Sequence, residues 1–105
     1  VFLEESNFAN IFRECDLIIE AFDRPESKEM IVRAMSKFFP DKTLIMGIGI
    51  SGWSQNDSMK EIRYENLIIC GDQKSEVSDD NPPLAPRVGI VANMQANVAL
   101  EILLT

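Results

Sequence analysis

The residues of this chain able to do chemistry gather at three breaks: Phe22-Asp23-Arg24, Gly49-Ile50-Ser51-Gly52 and Gly71-Asp72. Asp23 is the sharpest of them. It follows the run Asp16-Leu17-Ile18-Ile19-Glu20-Ala21-Phe22 and precedes Pro25, whose missing N–H suits the first position of a helix. A carboxylate between a buried strand and a helix start can hold Mg²⁺ beside substrate phosphates. It can equally be an acidic helix-start residue with a structural role. Histidine, the commonest general base and metal ligand, is absent. The two cysteines, Cys15 and Cys70, have no partner at CxxC spacing, which excludes a closed zinc site built from this chain. Any chemistry rests on carboxylates, lysine, arginine and backbone groups.

The elements that must position these residues alternate between strand and helix patterns. Ser6 to about Arg13 reads as a short helix capped by Ser6, with Phe8, Ile11 and Phe12 on one face. Residues 16–22 read as a buried strand. From Pro25 onward Met30, Ile31, Ala34, Met35, Phe38 and Phe39 recur at helical spacing until Pro40 stops the run, and the methionines read as core. Thr43 to Ser51 is a second buried strand, in which Gly47 and Gly49 permit close approach of a backbone or ligand. Trp53 to Arg63 is polar and reads as a weak strand or hairpin arm; Glu65 to Cys70 is the third good strand. Residues 72–86 carry three prolines and no periodicity, a loop of the length at which loops are functional or disordered.

From Arg87 to Leu104 the pattern is a helix that is apolar almost all round. Asn93, Asn97 and Glu101 make a narrow polar stripe expected to face solvent, while Gly89, Ala92, Ala96 and Ala99 make a stripe of small residues suited to packing on a sheet. The order strand, helix, strand, strand, loop, helix specifies α/β architecture. Ligands in open sheets of this class bind beyond the carboxyl ends of the strands, where the three breaks fall. Three good strands are few for two such apolar helices. The expected fold is therefore a partial Rossmann-like sheet of about three to four strands with helices packed on it. It would be a single domain or fragment, 1–105, forming half of a larger sheet, and its exposed edge predicts self-association.

Hydrophobic residues make up 46% and charged residues 26%, a globular composition that excludes disordered, collagenous and coiled-coil classes. Ten Lys and Arg against seventeen Asp and Glu give a net charge of −7 with no basic patch, which argues against a nucleic-acid partner. No apolar run reaches ~18 residues and no basic-then-apolar leader is present, so neither membrane insertion nor targeting is expected. A lone pair of cysteines fits a reducing, cytoplasmic compartment. The chain starts at Val1, consistent with a segment of a longer gene product.

Three motifs in order carry a family resemblance. Asp16-Leu-Ile-Ile-Glu-Ala-Phe-Asp23-Arg24-Pro-Glu-Ser27-Lys28 resembles the second-half motif Asp-x-x-x-Asp-Ala-x-Asp-Asn-x-x-Thr-Arg of ThiF- and MoeB-like adenylyltransferases, relatives of ubiquitin-activating enzymes. The similarity continues through Gly47-Ile-Gly49-Ile-Ser-Gly52 and Leu-Ile-Ile-Cys70-Gly71-Asp72. Ala85-Pro86-Arg87-Val88-Gly89, running on to Gln95-Ala96, is similar to the family's Gly-Pro-x-x-Gly…Gln-Ala helix. It spans nearly the whole chain, and its Cys-Gly-Asp and Ala-Pro-Arg segments look nearest to ThiF-like proteins of anaerobic bacteria. The resemblance implies the C-terminal half of a nucleotide-binding domain. Its enzyme uses Mg-ATP to adenylate the C-terminal glycine of a ubiquitin-like sulfur carrier protein, as in thiamine-type biosynthesis, and works as a homodimer. It implies that Asp23 is the catalytic residue that holds Mg²⁺ near the phosphates. Phe22, Arg24 and Lys28 then also bind the nucleotide, and loop 72–86 covers the carrier's glycine tail. Carboxylate attack on an α-phosphate needs positioning and charge neutralisation rather than a histidine base.

The sequence departs from the family at Arg24, where asparagine is usual, and at Lys28, where arginine is usual; the zinc-binding cysteine pairs of many relatives are absent. Loop 72–86 holds no cysteine for thiol chemistry, and Cys70 reads as buried. The family's glycine-rich phosphate loop, ribose-binding acid and phosphate-binding Arg and Lys precede the region matched here, so these 105 residues alone are expected to be inactive. Two other readings stand beside this one. Asp16-Leu-Ile-Ile-Glu20-Ala21 also resembles the second half of the NAD domain of 3-hydroxyacyl-CoA dehydrogenases, and the fold would equally serve a noncatalytic binding or dimerisation module.

Overall fold

The computed structural model describes residues 4–20, 25–49, 52–73, 82 and 84–105. Helix α1 (Glu5–Phe12) leads into strand β1 (Leu17–Glu20), helix α2 (Pro25–Phe38) and strand β2 (Thr43–Gly47). A 3₁₀ turn (Asn56–Ser58), the hairpin strands β3 (Lys60–Tyr64) and β4 (Leu67–Gly71) and helix α3 (Ala85–Leu104) follow. The fold is mixed α/β. Its open four-stranded sheet has the order β1-β2-β4-β3, with β1, β2 and β4 parallel and β3 antiparallel to β4.

Strand alternation sends the aliphatic side chains to both faces, as a parallel sheet covered by helices requires. On one face Ile18, Leu44 and Met46 pack with Ile31, Ala34 and Met35 of α2 and with Phe8 of α1. On the other, Ile45, Ile68 and Cys70 meet Val91, Val98 and Ala99 of α3. Phe8 is fully buried and stacks against Phe12 and Phe39, with ring centroids 4.9 and 5.8 Å away. Burying such a side chain is worth about 2–3 kcal/mol, and it anchors a helix of only eight residues. Lys42 secures the other end of α1. Its ammonium donates to the carbonyls of Phe12 and Arg13 at 3.2 and 2.5 Å, where the helix dipole favours a cation.

Several boundaries differ from the sequence reading, each for a local reason. Helix α1 starts at Glu5 because the Asn7 side chain accepts from the Glu4 N–H at 2.8 Å, which leaves Ser6 inside the first turn instead of capping it. Strand β2 ends at Gly47, earlier than the expected Ser51, because Gly49 turns to φ +83°. Glu65 belongs to the β3–β4 turn, at φ 52°, and the last two residues of segment 72–86 already lie in α3. Of the small-residue stripe only Ala99 packs on the sheet. Ala92 and Ala96 are exposed, and the sheet-facing residues are Arg87, Val91, Gln95, Val98 and Ala99. Helix geometry decides this: the larger residues at i, i+4 and i+7 give a better-filled contact than the stripe beside them.

Gly71 ends β4 at φ +127°, and a Cβ there would lie 1.9 Å from the Ile48 carbonyl oxygen, a backbone atom that cannot step aside. Gly71→Ala is expected to destabilise the fold by about 3 kcal/mol, read as a lower urea midpoint at unchanged slope.

Candidate functional site

The parallel strands β1, β2 and β4 all end on the same edge of the sheet, and polar side chains concentrate there. The paired register of β1 with β2 stops at Glu20 opposite Met46. Just beyond it, two side chains from opposite faces take over as donors. From α2, the Lys28 ammonium donates to Glu20 Oε1 at 2.7 Å and to the Gly47 carbonyl at 2.6 Å. From α3, the Gln95 amide donates to the Glu20 carbonyl at 2.9 Å and the Ile45 carbonyl at 3.3 Å. The Glu20 side chain is fully buried, and Lys28 keeps a fifth of its side chain in solvent. A buried carboxylate is tolerable when a cation and good geometry meet it. Gly47 leaves the room required, since a Cβ there would stand 3.1 Å from Val91 Cγ1 and 3.3 Å from Gln95 Oε1.

A second polar assembly lies two strands away, where β4 runs out. The amide of Ile48 donates to the Cys70 carbonyl at 2.9 Å, and the amide of Gln73 donates to the Ile48 carbonyl at 3.1 Å, so the two exits stay side by side. Asp72 spans them. Its Oδ2 accepts from Arg87 Nη2 at 2.6 Å, while a Cβ on Gly49 would come within 1.8 Å of its Oδ1. Glycine at 49 is thus what lets the carboxylate lie over that turn. Arg87 also donates to the Ser58 hydroxyl at 3.1 Å, joining the start of α3 to the 3₁₀ turn. Both partners of the ion pair are more than nine-tenths buried. Around them opens a cavity of about 430 Å³, walled by Gln55, Ser58, Lys60, Gly71, Gln73 and Arg87 among others. Gln55 and Gln73 adopt left-handed backbone angles, φ 58° and 61°, on its rim. Such angles are costly for residues with a side chain and cluster at functional sites.

An apolar hollow of about 490 Å³ lies on the face shared with α2, where Met46, Ile48, Leu67 and Ile69 extend past the cover of Val32. Its margin carries Lys28, Glu29 and Arg33.

Of the residues singled out from sequence, Phe22, Asp23 and Arg24 lie outside the described residues, as does most of loop 72–86. Lys28 is described, and its ammonium is committed to Glu20 and Gly47. It therefore holds strand ends together. Among the described residues no group of three or more His, Cys, Asp or Glu comes together as a metal site. Glu20, Gln95, Asp72 and Arg87 escaped attention as a set because their contacts join residues up to 75 positions apart. One signal for them was legible: a glutamate closing an aliphatic strand and a lone glutamine on a strongly apolar helix both demand buried polar partners.

Against protein-family models, curated proteins and solved structures, the chain finds no match. No helix among the described residues is long and apolar enough to cross a membrane.

Two outcomes follow from this geometry. Lys28→Met, which strands the Glu20 carboxylate, is expected to cost about 3 kcal/mol, and Gln95→Leu about 1–3 kcal/mol, both read by urea denaturation. Cys70 is fully buried, and burial, with Glu61 nearby, pushes its thiol pKa up. At neutral pH a thiol reagent should therefore label exposed Cys15 rapidly and Cys70 only on unfolding.

Proposed function

We propose that this chain is the C-terminal half of an ATP-dependent adenylyltransferase that activates the C-terminal glycine of a ubiquitin-like sulfur carrier protein. The observation that carries this reading is the convergence of its motif segments on one sheet edge. The exits of β1 at Glu20, three residues before Asp23, of β2 at Gly47–Gly49 and of β4 at Gly71-Asp72 lie along that edge, and Gly71, Asp72 and Arg87 line the polar cavity. That edge is where open α/β sheets bind ligands. The cavity suits an extended glycine tail: it is lined by amide, hydroxyl and ammonium groups able to bond a peptide backbone. The apolar hollow beside α2 offers the carrier's globular body a surface.

In this reading ATP with Mg²⁺ supplies the adenylyl group. Asp23 holds the metal near the phosphates, flanked by Phe22 and Arg24, and Lys28 keeps the β1 and β2 exits in register. The glycine-rich phosphate loop comes from a preceding half whose strand lies next to β1, and the working enzyme is a cytoplasmic homodimer. The noncatalytic-module reading draws on the inward turn of Lys28, and one assay separates the two.

That assay is carrier-dependent ATP–pyrophosphate exchange by the polypeptide that includes the phosphate-loop half. Exchange is expected, and Asp23→Ala should slow it by about 100-fold or more. Normal exchange by that variant would remove Asp23 from the mechanism, and no exchange by the parent would favour the module.

A further inference from the structure

The wall of the polar cavity includes two glutamines from different loops: Gln55, just before the 3₁₀ turn, and Gln73, just past the end of β4. Both have left-handed backbone angles, φ 58° and 61°. Glycine takes such an angle freely, and asparagine, aspartate and histidine are enriched there; glutamine is not. The two other described non-glycine residues with positive φ are Ser54, which precedes Gln55, and Glu65, which turns the β3–β4 hairpin.

Neither glutamine side chain is needed to hold its loop. The Gln73 N–H donates to the Ile48 carbonyl at 3.1 Å, and the Gln55 carbonyl accepts from the Ser58 amide and hydroxyl at 3.0 and 2.6 Å. Glycine at both positions would make every one of these bonds. Both glutamines are exposed, and neither side-chain amide has a hydrogen-bond partner among the described residues. The strained backbone therefore keeps in place two amide groups that the fold itself does not use.

We propose that Gln55 and Gln73 are the specificity-determining residues of this cavity, two amide groups that grip the main chain of an extended peptide. Each side-chain amide offers a carbonyl acceptor and two N–H donors, the complement of a peptide's own N–H and C=O. The buried assembly beside the cavity fixes their spacing. Arg87 Nη2 donates to Asp72, the residue before Gln73, at 2.6 Å and to Ser58 at 3.1 Å, and the Ser58 hydroxyl donates to the Gln55 carbonyl. Charge favours the same class of ligand. In the wall Lys60 and Arg87 are balanced by Asp57 and Asp72, so no net field draws in a phosphate or another small anion. The proposal rests on the reading of this cavity as a peptide site; the part given to the glutamines comes from their backbone angles.

The test titrates the 105-residue chain and two double variants with acetyl-tetraglycine amide, a main chain without side chains or charges, followed by amide NMR. Each protein is also unfolded in urea. Gln55→Met with Gln73→Met keeps side-chain size and removes both amides. It should bind the probe about 10-fold more weakly than the parent at an unchanged urea midpoint. Gln55→Gly with Gln73→Gly should lose binding likewise, with its midpoint at or above the parent's because the strain is relieved. A methionine pair that binds as tightly as the parent overturns the proposal and leaves the cavity a peptide site. A glycine pair with a lower midpoint also overturns it, because the side chains then serve the fold. So does a parent that leaves the probe unbound, in which case pyrophosphate exchange decides the adenylyltransferase reading by itself.

Discussion

A parallel ladder that stops inside a protein leaves carbonyls whose next backbone donor is missing, and a buried carbonyl must find another. In this chain the ladder between β1 and β2 stops at Glu20 and Met46, and the answer comes from both sides of the sheet at once. Lys28 reaches in from α2 and Gln95 from α3, and both end at the exits of β1 and β2. The fully buried Glu20 carboxylate couples this backbone problem to a charge problem, because the ammonium that serves Gly47 also neutralises it. Neither helix can shift independently of the strand ends. Whatever the exit of β1 does, it starts from a point fixed by three elements.

The exit of β4 is built on the same logic with different parts. Asp72 crosses from its own strand to lie over Gly49, and Arg87 holds it there while reaching Ser58. Two glycines make this possible, Gly71 by its backbone angle and Gly49 by its missing side chain. Hydrogen bonds with charged partners are about twice as strong as neutral ones, so a single buried ion pair can order the start of α3, the 3₁₀ turn and the β4 exit together. The cavity beside it is floored by this ion pair and rimmed by Gln55, Gln73 and Lys60.

Much of the fold was legible in the sequence because it is periodic. Strands formed within or close to the aliphatic runs at 16–22, 43–51 and 65–70, the apolar spacing after Pro25 became α2, and the long apolar pattern ending at Leu104 became α3. What stayed hidden depends on which residues meet across the fold. The stripe Gly89, Ala92, Ala96 looked made for the sheet, but Ala99 alone of the four small residues is buried against it, because Val91 and Val98 fill that contact better. Lys28 was read from its place in a motif, and its ion pair with Glu20, eight residues earlier at a strand end, was not foreseen. No local pattern distinguishes a lysine that turns inward from one that turns out. The Asp72–Arg87 pair was likewise invisible, since each residue alone reads as a loop acid and a helix-start base.

Together the two assemblies lie along the carboxyl edge of the sheet, with Arg87 and the polar cavity at the β4 exit and Glu20, three residues before Asp23, at the β1 exit. We propose that ligands meet the protein along this edge. The most direct measurement is a two-dimensional amide NMR titration of the chain with a glycine-terminated peptide. The account predicts saturable shifts at Gln55, Ser58, Lys60, Gly71, Asp72 and Gln73, with the amino ends of the strands unmoved. Shifts confined to the opposite edge, around Tyr64 to Leu67, or no shifts at saturating peptide, would contradict it.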